Sequence, residues 1–390
     1  MSGPLQGARK SLRAWQNRRR LEAERAFYEA AFRDRGLRLP VESEIRDALR
    51  RRFPAIRPKP KGTIRTLAVW HNYNWETDAL KPSLERFGPV RLYDWYGEFD
   101  HSRKDWSRAI KPRMNRALVD LVDRWCRDER PDLLFTYLSG ELVYPRTVEA
   151  IRSHGVPIVN LALNDKEHFV GKLRGGHAFG MRDICRHVDL CWTSTEDALK
   201  KYCVEGAIPL YLPEGANPAV HRPLDVEREI DVSFVGQCYG NRPAVIERLR
   251  QAGIRAEAFG FGWPNGPLAT DEMVKMYSRS RINLGFGGVA GHDDTYCLKG
   301  RDFEIPMSGG LYVTETCPEL ERFFRPGEEV VTYGDFDDLV EKIRRLLAHP
   351  EEAERIRRAG FERAHSEHTW EMRFEKVFRL IGLLEEKPQE

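Results

Sequence analysis

No stretch of the 390-residue chain approaches the roughly 18 uncharged apolar residues that a membrane-spanning helix needs. A transmembrane segment is therefore not expected. The N-terminus lacks the apolar core of a secretory signal, because Arg9, Lys10, Arg13 and Arg18, Arg19, Arg20 interrupt every candidate run, so a cytoplasmic location is expected. Cysteine is sparse: Cys126, Cys185, Cys191, Cys203, Cys238, Cys297 and Cys317 are odd in number and form no Cys-x-x-Cys pair. Reduced thiols fit that pattern better than a disulfide framework or a zinc knuckle. Internal repeats and low-complexity tracts are also missing.

What is present is a soluble composition, 41% hydrophobic and 32% charged, in a chain too long for one ordinary hydrophobic core. Two domains are expected. The net charge of +3 is unevenly spread: residues 1–61 hold 17 Lys and Arg against 7 Asp and Glu, a surplus of +10, which leaves −7 on the remainder. Such a segment either forms a solvated helical arm or attracts an anionic acceptor, nucleic acid or membrane surface.

Apolar positions Leu12, Trp15, Leu21, Phe27, Tyr28 and Phe32 suggest a helix over 11–35, and a second helical pattern runs from Glu42 to Arg52. "FPAIRPKPKG", with three prolines and a glycine, then reads as a linker ending at Gly62. Beyond it come short unalternated apolar runs, "TLAVWHN", "VRLYDW", "DLLFTYL", "PIVNLAL", "DLCWTST" and "PLYLPEG", separated by helix-length segments. Runs of this kind describe a parallel sheet covered on both faces. After the polar, proline-containing stretch 217–230 the pattern restarts with "DVSFVGQ", "AEAFGFG", "RINLGFGG", "GLYVTE" and "EVVTY". The expectation is α/β throughout: a basic helical extension and linker (1–62), a doubly wound domain (63–222), a second doubly wound domain (223–365) and a C-terminal helix packing across both (366–390).

Open α/β sheets bind ligands at the carboxyl ends of their strands, and two such domains facing each other enclose a cleft. In the second domain, "DVSFVGQCYGNRPAVIERL" runs from a strand through Gly236, Gln237, Gly240 and Asn241 into a helix opening at Arg242 and Pro243. Glycine lets backbone approach a ligand, and a helix N-terminus offers unpaired N–H groups to a phosphate. The same pattern also suits an ordinary strand-to-helix turn with Pro in the first turn. In "CLKGRDFEIPMSGGLYVTE" a helix expected from Arg301 places Lys299 and Arg301 toward a diphosphate, with Glu304 one turn on to accept hydrogen bonds from a ribose. Mutual pairing of those charges is the alternative.

"FVGQCYGNR", "YLPEGANPAVHRPL", "RDFEIPMSGGLYVTE", the stretch from Glu319 to Ala364 and "EHTWEMRFEKV" together resemble the CgeB/YkvP-type glycosyltransferase family, related to GT-B enzymes of the glycosyltransferase group 1 superfamily. The resemblance spans about Asp189 to Val377 and is weak before Val156. It implies a GT-B-like fold of two Rossmann-like domains, a nucleotide-diphosphate sugar donor held mainly by the second, an acceptor held mainly by the first, and neither metal nor separate cofactor. By position, Glu304 matches the ribose-binding second carboxylate of the superfamily's Glu-x7-Glu signature, while Tyr296 stands in place of the first. Gly236 resembles the glycine near the donor phosphates, and Arg301 the arginine before the family's Phe-Glu pair.

Loss of the diphosphate leaves negative charge that Lys299, Arg301, Arg242 and the helix start at Asn241 can stabilise. The Asp-x-Asp spacing at 335–337 precedes a helix and reads as a cap rather than a metal site. An inverting transfer needs a base, and "LALNDKEHFVGK" offers Asp165 first and His168 second. His292, in "GGVAGHDDTY", is expected near the donor sugar. The acceptor, whether glycan, protein, lipid or small molecule, is not specified. A nucleotide-sugar isomerase or hydrolase, or a noncatalytic sugar-nucleotide or polyanion-binding protein, would use the same scaffold.

Overall fold

The computed structural model describes residues 4–72, 75–289 and 292–385, with the side chains of 4–11, 13, 14 and 292–294 outside that description. Helices α1 (Pro4–Asp34) and α2 (Glu42–Arg52) precede the first strand. Beyond Leu21 they are tied in by specific contacts. Tyr28 is buried and its hydroxyl donates to Glu205 at 2.6 Å, and Lys201 Nζ reaches Glu24 at 2.8 Å. Arg52 closes α2 by pairing at 2.7 Å with the buried Asp189, which also holds Arg152 at 3.3 Å. Residues 21–62, expected as an extension and linker, thus pack into the unit that follows. Most of their charged side chains face solvent, whereas Tyr28, Ile45 and Leu49 face inward.

The first sheet comprises β1 (Thr66–Trp70), β2 (Val90–Asp94), β3 (Leu133–Thr136), β4 (Ile158–Ala162), β7 (Leu190–Thr193) and β8 (Pro209–Tyr211), with a hairpin of β5 (Leu173–Arg174) and β6 (His177–Ala178) outside it. Its order is β2-β1-β3-β4-β7-β8 and every pairing is parallel. Central strands β1, β3, β4 and β7 are buried residue by residue, which explains their unbroken apolar runs. Helices α3 (Lys81–Glu85), α4 (Lys111–Asp128), α5 (Pro145–Arg152), α6 (Asp165–His168) and α7 (Leu199–Val204) connect the strands. Helix α4 shows why: Met114, Leu118 and Val122 recur every four residues and are all buried against the sheet.

The second sheet has the order β10-β9-β11-β14-β15, again parallel, from β9 (Ile230–Val235), β10 (Ala256–Phe259), β11 (Ser280–Leu284), β14 (Tyr312–Glu315) and β15 (Val331–Tyr333). Helices α8 (Arg242–Gln251), α9 (Thr270–Arg279), α10 (Arg301–Met307), α11 (Phe336–Ala348) and α12 (Pro350–Glu367) surround it. Ile246, Leu249, Leu339 and Ile343 place α8 and α11 over one face, while Met276, Phe303 and Ile305 place α9 and α10 over the other. This is a doubly wound, Rossmann-like unit like the first. A short antiparallel pair, β12 (Gly288–Val289) and β13 (His292–Tyr296), occupies part of what the sequence suggested was a loop.

Two compact units result: residues 214–372 with 1–20, and residues 21–213 with 373–390. The stretch 214–222, expected with the first domain, belongs to the second because Ala216 exchanges backbone hydrogen bonds with His368 and Trp370 at 2.9 and 3.0 Å. The last helix, α13 (Trp370–Ile381), contributes its residues from Arg373 onward to the N-terminal unit. There Phe374 lies fully buried among Phe87, Phe135, Trp192 and Phe378. Removing that ring leaves a cavity as well as lost apolar contact, so Phe374→Ala should destabilise the N-terminal unit by about 3–5 kcal/mol. Urea unfolding followed by tryptophan fluorescence should show an earlier transition.

Candidate functional site

Strand β9 ends at Val235, and the chain turns through Gly236 to Asn241 before α8 begins. Gly236 must be glycine on packing grounds: a Cβ there would stand 2.8 Å from the Phe234 ring and 3.0 Å from the Arg301 guanidinium. Its carbonyl accepts from Trp263 Nε1 at 2.9 Å and leaves no room for a side chain at Gly260, where a Cβ would approach that oxygen to 2.2 Å. The turn is thereby fixed from the next strand. Gln237 and Asn241 are exposed on it.

Arg242, the first residue of α8, is only 3% exposed. Its guanidinium donates to the Gln237 carbonyl at 3.0 Å, the Tyr239 hydroxyl at 2.8 Å and the Phe286 carbonyl at 3.3 Å, and lies 3.8 Å above the Tyr239 ring. Arg301, the first residue of α10, reaches the same Phe286 carbonyl at 3.3 Å from the other side. Both guanidinium carbons sit 5.3 Å from the Phe234 ring centre. Two like charges are therefore held together by one carbonyl and one aromatic ring, and neither forms an ion pair with a carboxylate among the described residues. Burial, with the Arg301 charge adding, pulls Arg242 down to about 10. Arg301 Nε is buried without a hydrogen-bond partner.

Helix α10 carries the other charges of its sequence motif inward. Asp302 is buried, accepts from the Lys299 backbone N–H at 2.7 Å and from the Tyr312 hydroxyl, and so locks the helix start against β14. Lys299 Nζ donates to Cys297 Sγ at 2.7 Å. Glu304 is buried too, and its Oε1 lies 3.8 Å from Nε2 of the buried His221. His221 Nδ1 accepts from the Asn217 N–H at 3.2 Å, so the neutral ring carries its proton on the nitrogen facing Glu304. Burial holds His221 down at about 4, which keeps it neutral.

Glu214 completes this cluster and was not singled out in the sequence. Its carboxylate and that of Glu304 converge on Gly300, where a Cβ would fall 2.9 Å from Glu304 Oε1 and 3.3 Å from Glu214 Oε2. Burial, then the neighbouring Glu304 charge, raises Glu214 to about 8, and burial raises Glu304 to about 7. Both carboxyls therefore hold a proton to higher pH than exposed ones do. The "PEG" of "YLPEGANPAVHRPL" carried the only sequence signal for Glu214, and 90 residues separate it from Glu304.

The remaining expected residues lie elsewhere. Asp165, expected to offer its carboxylate outward as a base, is instead 2% exposed and accepts from the Tyr202 hydroxyl at 2.6 Å inside the N-terminal unit. It opens α6, whose first turn faces the core, and burial pushes it up to about 7. His168, three residues on, is exposed. The side chain of His292 lies outside the described residues. Tyr296, at the position of the family's first glutamate, ends β13 half-buried.

Comparison with known proteins bears on the α8 to α13 region. Residues 242–379 match the family model described as Glycosyl transferase-like. That span contains Arg242, Arg301 and Glu304. No curated protein matches the sequence significantly. Among solved structures, an α-glucosyltransferase in complex with UDP and a mismatch-containing 13-mer DNA superposes with a TM-score of 0.55 at 12% identity, covering 82% of this chain and 100% of that one. HepE from Anabaena, in complex with UDP-glucose, gives 0.54 at 10% identity over 82% and 100%. A glycosyltransferase from Rickettsia africae gives 0.55 at 9% identity over 82% and 98%. At such identities the likeness establishes the fold, which is GT-B with two Rossmann-like domains.

A carboxyl whose folded pKa is raised stabilises the native state at low pH, and that contribution is lost as pH climbs from the unfolded value toward the folded one. For Glu214 the window runs from 4.5 to about 8. Glu214→Gln, which mimics the protonated acid, should match wild type near the acid end and become progressively more stable than it toward pH 8. Melting temperatures of both proteins across that range check this.

Proposed function

We propose that the protein is a metal-independent glycosyltransferase of the CgeB/YkvP type that takes a nucleoside diphosphate sugar as donor. The observation that carries this reading is the pair Arg242 and Arg301: one buried and one half-buried guanidinium, neither paired with a carboxylate among the described residues, aimed at the carboxyl ends of β9 and β11. A diphosphate is the anion whose geometry and charge match paired guanidiniums. Lys299 supplies a third cation on the same helix start, and Gly236 allows the close backbone approach. Glu304, with His221 behind it, accepts from the ribose hydroxyls.

In the transfer, the bond between the anomeric carbon and the β-phosphate oxygen breaks as the acceptor oxygen bonds to that carbon. The electron pair leaves with the diphosphate, and Arg242, Arg301 and Lys299 take up its charge. Preorganisation matters here, because cations already fixed by Phe234 and the Phe286 carbonyl need no reorientation as charge develops. His168 in the N-terminal unit is the candidate to remove the acceptor proton, in preference to the buried Asp165. Because proteins of similar fold have been solved with UDP or UDP-glucose, a uridine diphosphate sugar is the first donor to test. The basic arm would recruit an anionic acceptor or surface.

Thermal-shift measurements with UDP, GDP, ADP, dTDP and CMP, and with their sugar conjugates, test the donor site. A nucleotide at a hundred times its Kd should stabilise the protein by about 2.7 kcal/mol. Arg301→Ala should abolish the shift, and Glu304→Gln should weaken it. Indifference to every nucleotide would overturn the reading, while a shift with sugar turned over but never transferred would redirect it to a hydrolase or isomerase. For the arm, replacing Arg18, Arg19 and Arg20 by Ala should weaken binding to a polyanion such as heparin at low salt. The difference should vanish as salt rises.

A further inference from the structure

The C-terminal unit contains a cavity of about 510 Å³ that shares only Asn241 with the residues of the donor reading. It opens between α8 and α11 at the carboxyl ends of β14 and β15, over the sheet face opposite α10. Its volume falls within the range of small-ligand sites. Asn241, Arg248, Tyr296, Glu315, Tyr333 and Phe336 supply the wall chemistry.

Glu315 is a fixed acceptor. Its Oε2 receives the N–H groups of Gly287 at 2.9 Å and Gly288 at 3.2 Å, and the Asn241 amide also donates to this carboxylate. Tyr333 is 7% exposed, and its hydroxyl is buried with no hydrogen-bond partner among the described residues. Buried hydroxyls nearly always have partners, so an orphan on a residue that lines the cavity points to a ligand that completes it. Arg248 lies flat on Phe336, its guanidinium carbon 3.6 Å from the ring centre, and forms no ion pair among the described residues. Stacking fixes the plane of its N–H groups at the edge of the cavity.

The charge arrangement selects among ligands. Glu315, with Asp335 at the cap of α11, sets two carboxylates against one guanidinium, which disfavours an anion. Interleaved donors and acceptors beside three aromatic rings favour a neutral molecule that presents hydroxyls at its edge and C–H groups on its faces. We propose that this cavity is a second, noncatalytic binding site for a neutral sugar ring, formed by Tyr333, Glu315, Arg248 and Phe336. The sugar could belong to a free saccharide or to a residue along a glycan chain. The site stands on its own observations and not on the donor reading.

Saturation-transfer NMR on the full chain, with the methyl glycosides of glucose, galactose, mannose and N-acetylglucosamine and with maltotriose and cellotriose, tests it. At least one probe should receive saturation, and UDP should not displace it. A trisaccharide binding more tightly than its monosaccharide would identify a glycan chain, and equal binding a free sugar; either supports the site. Tyr333→Phe deletes only the orphan hydroxyl and should weaken binding by about tenfold while leaving the melting temperature unchanged or raised. The exposed Arg248→Ala should weaken it comparably, and Arg301→Ala should leave it intact. Absence of transfer to all six probes, displacement by UDP, or binding indifferent to both Tyr333→Phe and Arg248→Ala would overturn the proposal.

Discussion

The C-terminal unit depends on holding two arginines of like charge side by side, Arg242 buried and Arg301 half-buried. Among the described residues, neither forms an ion pair with a carboxylate. The Phe286 carbonyl accepts from both, and the Phe234 ring offers each the negative face of its π system. This arrangement dictates much of the surrounding chemistry. Gly236 must lack a side chain so that Arg301 fits beside it, and Gly260 must lack one so that the Gly236 carbonyl fits. Each arginine also opens a helix, so two positive helix ends converge where the guanidiniums do.

Much of this was legible in the sequence, and the reason differs from element to element. Parallel strands buried on both faces leave an unbroken apolar signature, so β1, β3, β4 and β7 could be read directly. The start of α10 was legible because Asp302 and the Ser308-Gly309-Gly310 stop signal bracket it. Gly309 adopts φ 69°, a left-handed value suited to ending a helix. Burial of individual polar residues was not legible. Asp165 looks like a loop carboxylate until packing shows that the first turn of α6 points inward to Tyr202. Tyr28 looks like one apolar position in a charged helix until Glu205, 177 residues away, accepts its hydroxyl.

Glu214 and His221 illustrate the same limit at the site itself. Neither belongs to a strand-to-helix turn of the second sheet, where a search by topology looks. Both reach Glu304 because the chain entering the unit passes along α10 before β9 begins, and the Ala216 backbone is pinned to His368 and Trp370. Long sequence separation hides such contacts. The hairpin of β12 and β13 escaped for a different reason: β12 is only two residues long and β13 reads His-Asp-Asp-Thr-Tyr, so neither carries an apolar alternation.

The acids of the site make sense only beside its cations. With Glu214 and Glu304 both ionised, their charges would cancel much of what Arg242, Arg301 and Lys299 offer. Burial works against this, because it favours the protonated form of both acids and outweighs the neighbouring arginine's lowering of Glu304. Protonated carboxyls leave the cations undiminished for a dianionic ligand while still presenting hydrogen-bonding oxygens at the surface of Gly300. A bound diphosphate would raise both acids further, since its charge adds to the same field. Cation strength and acid burial are thus linked: the desolvation that surrounds Arg242 also favours the protonated forms of Glu214 and Glu304.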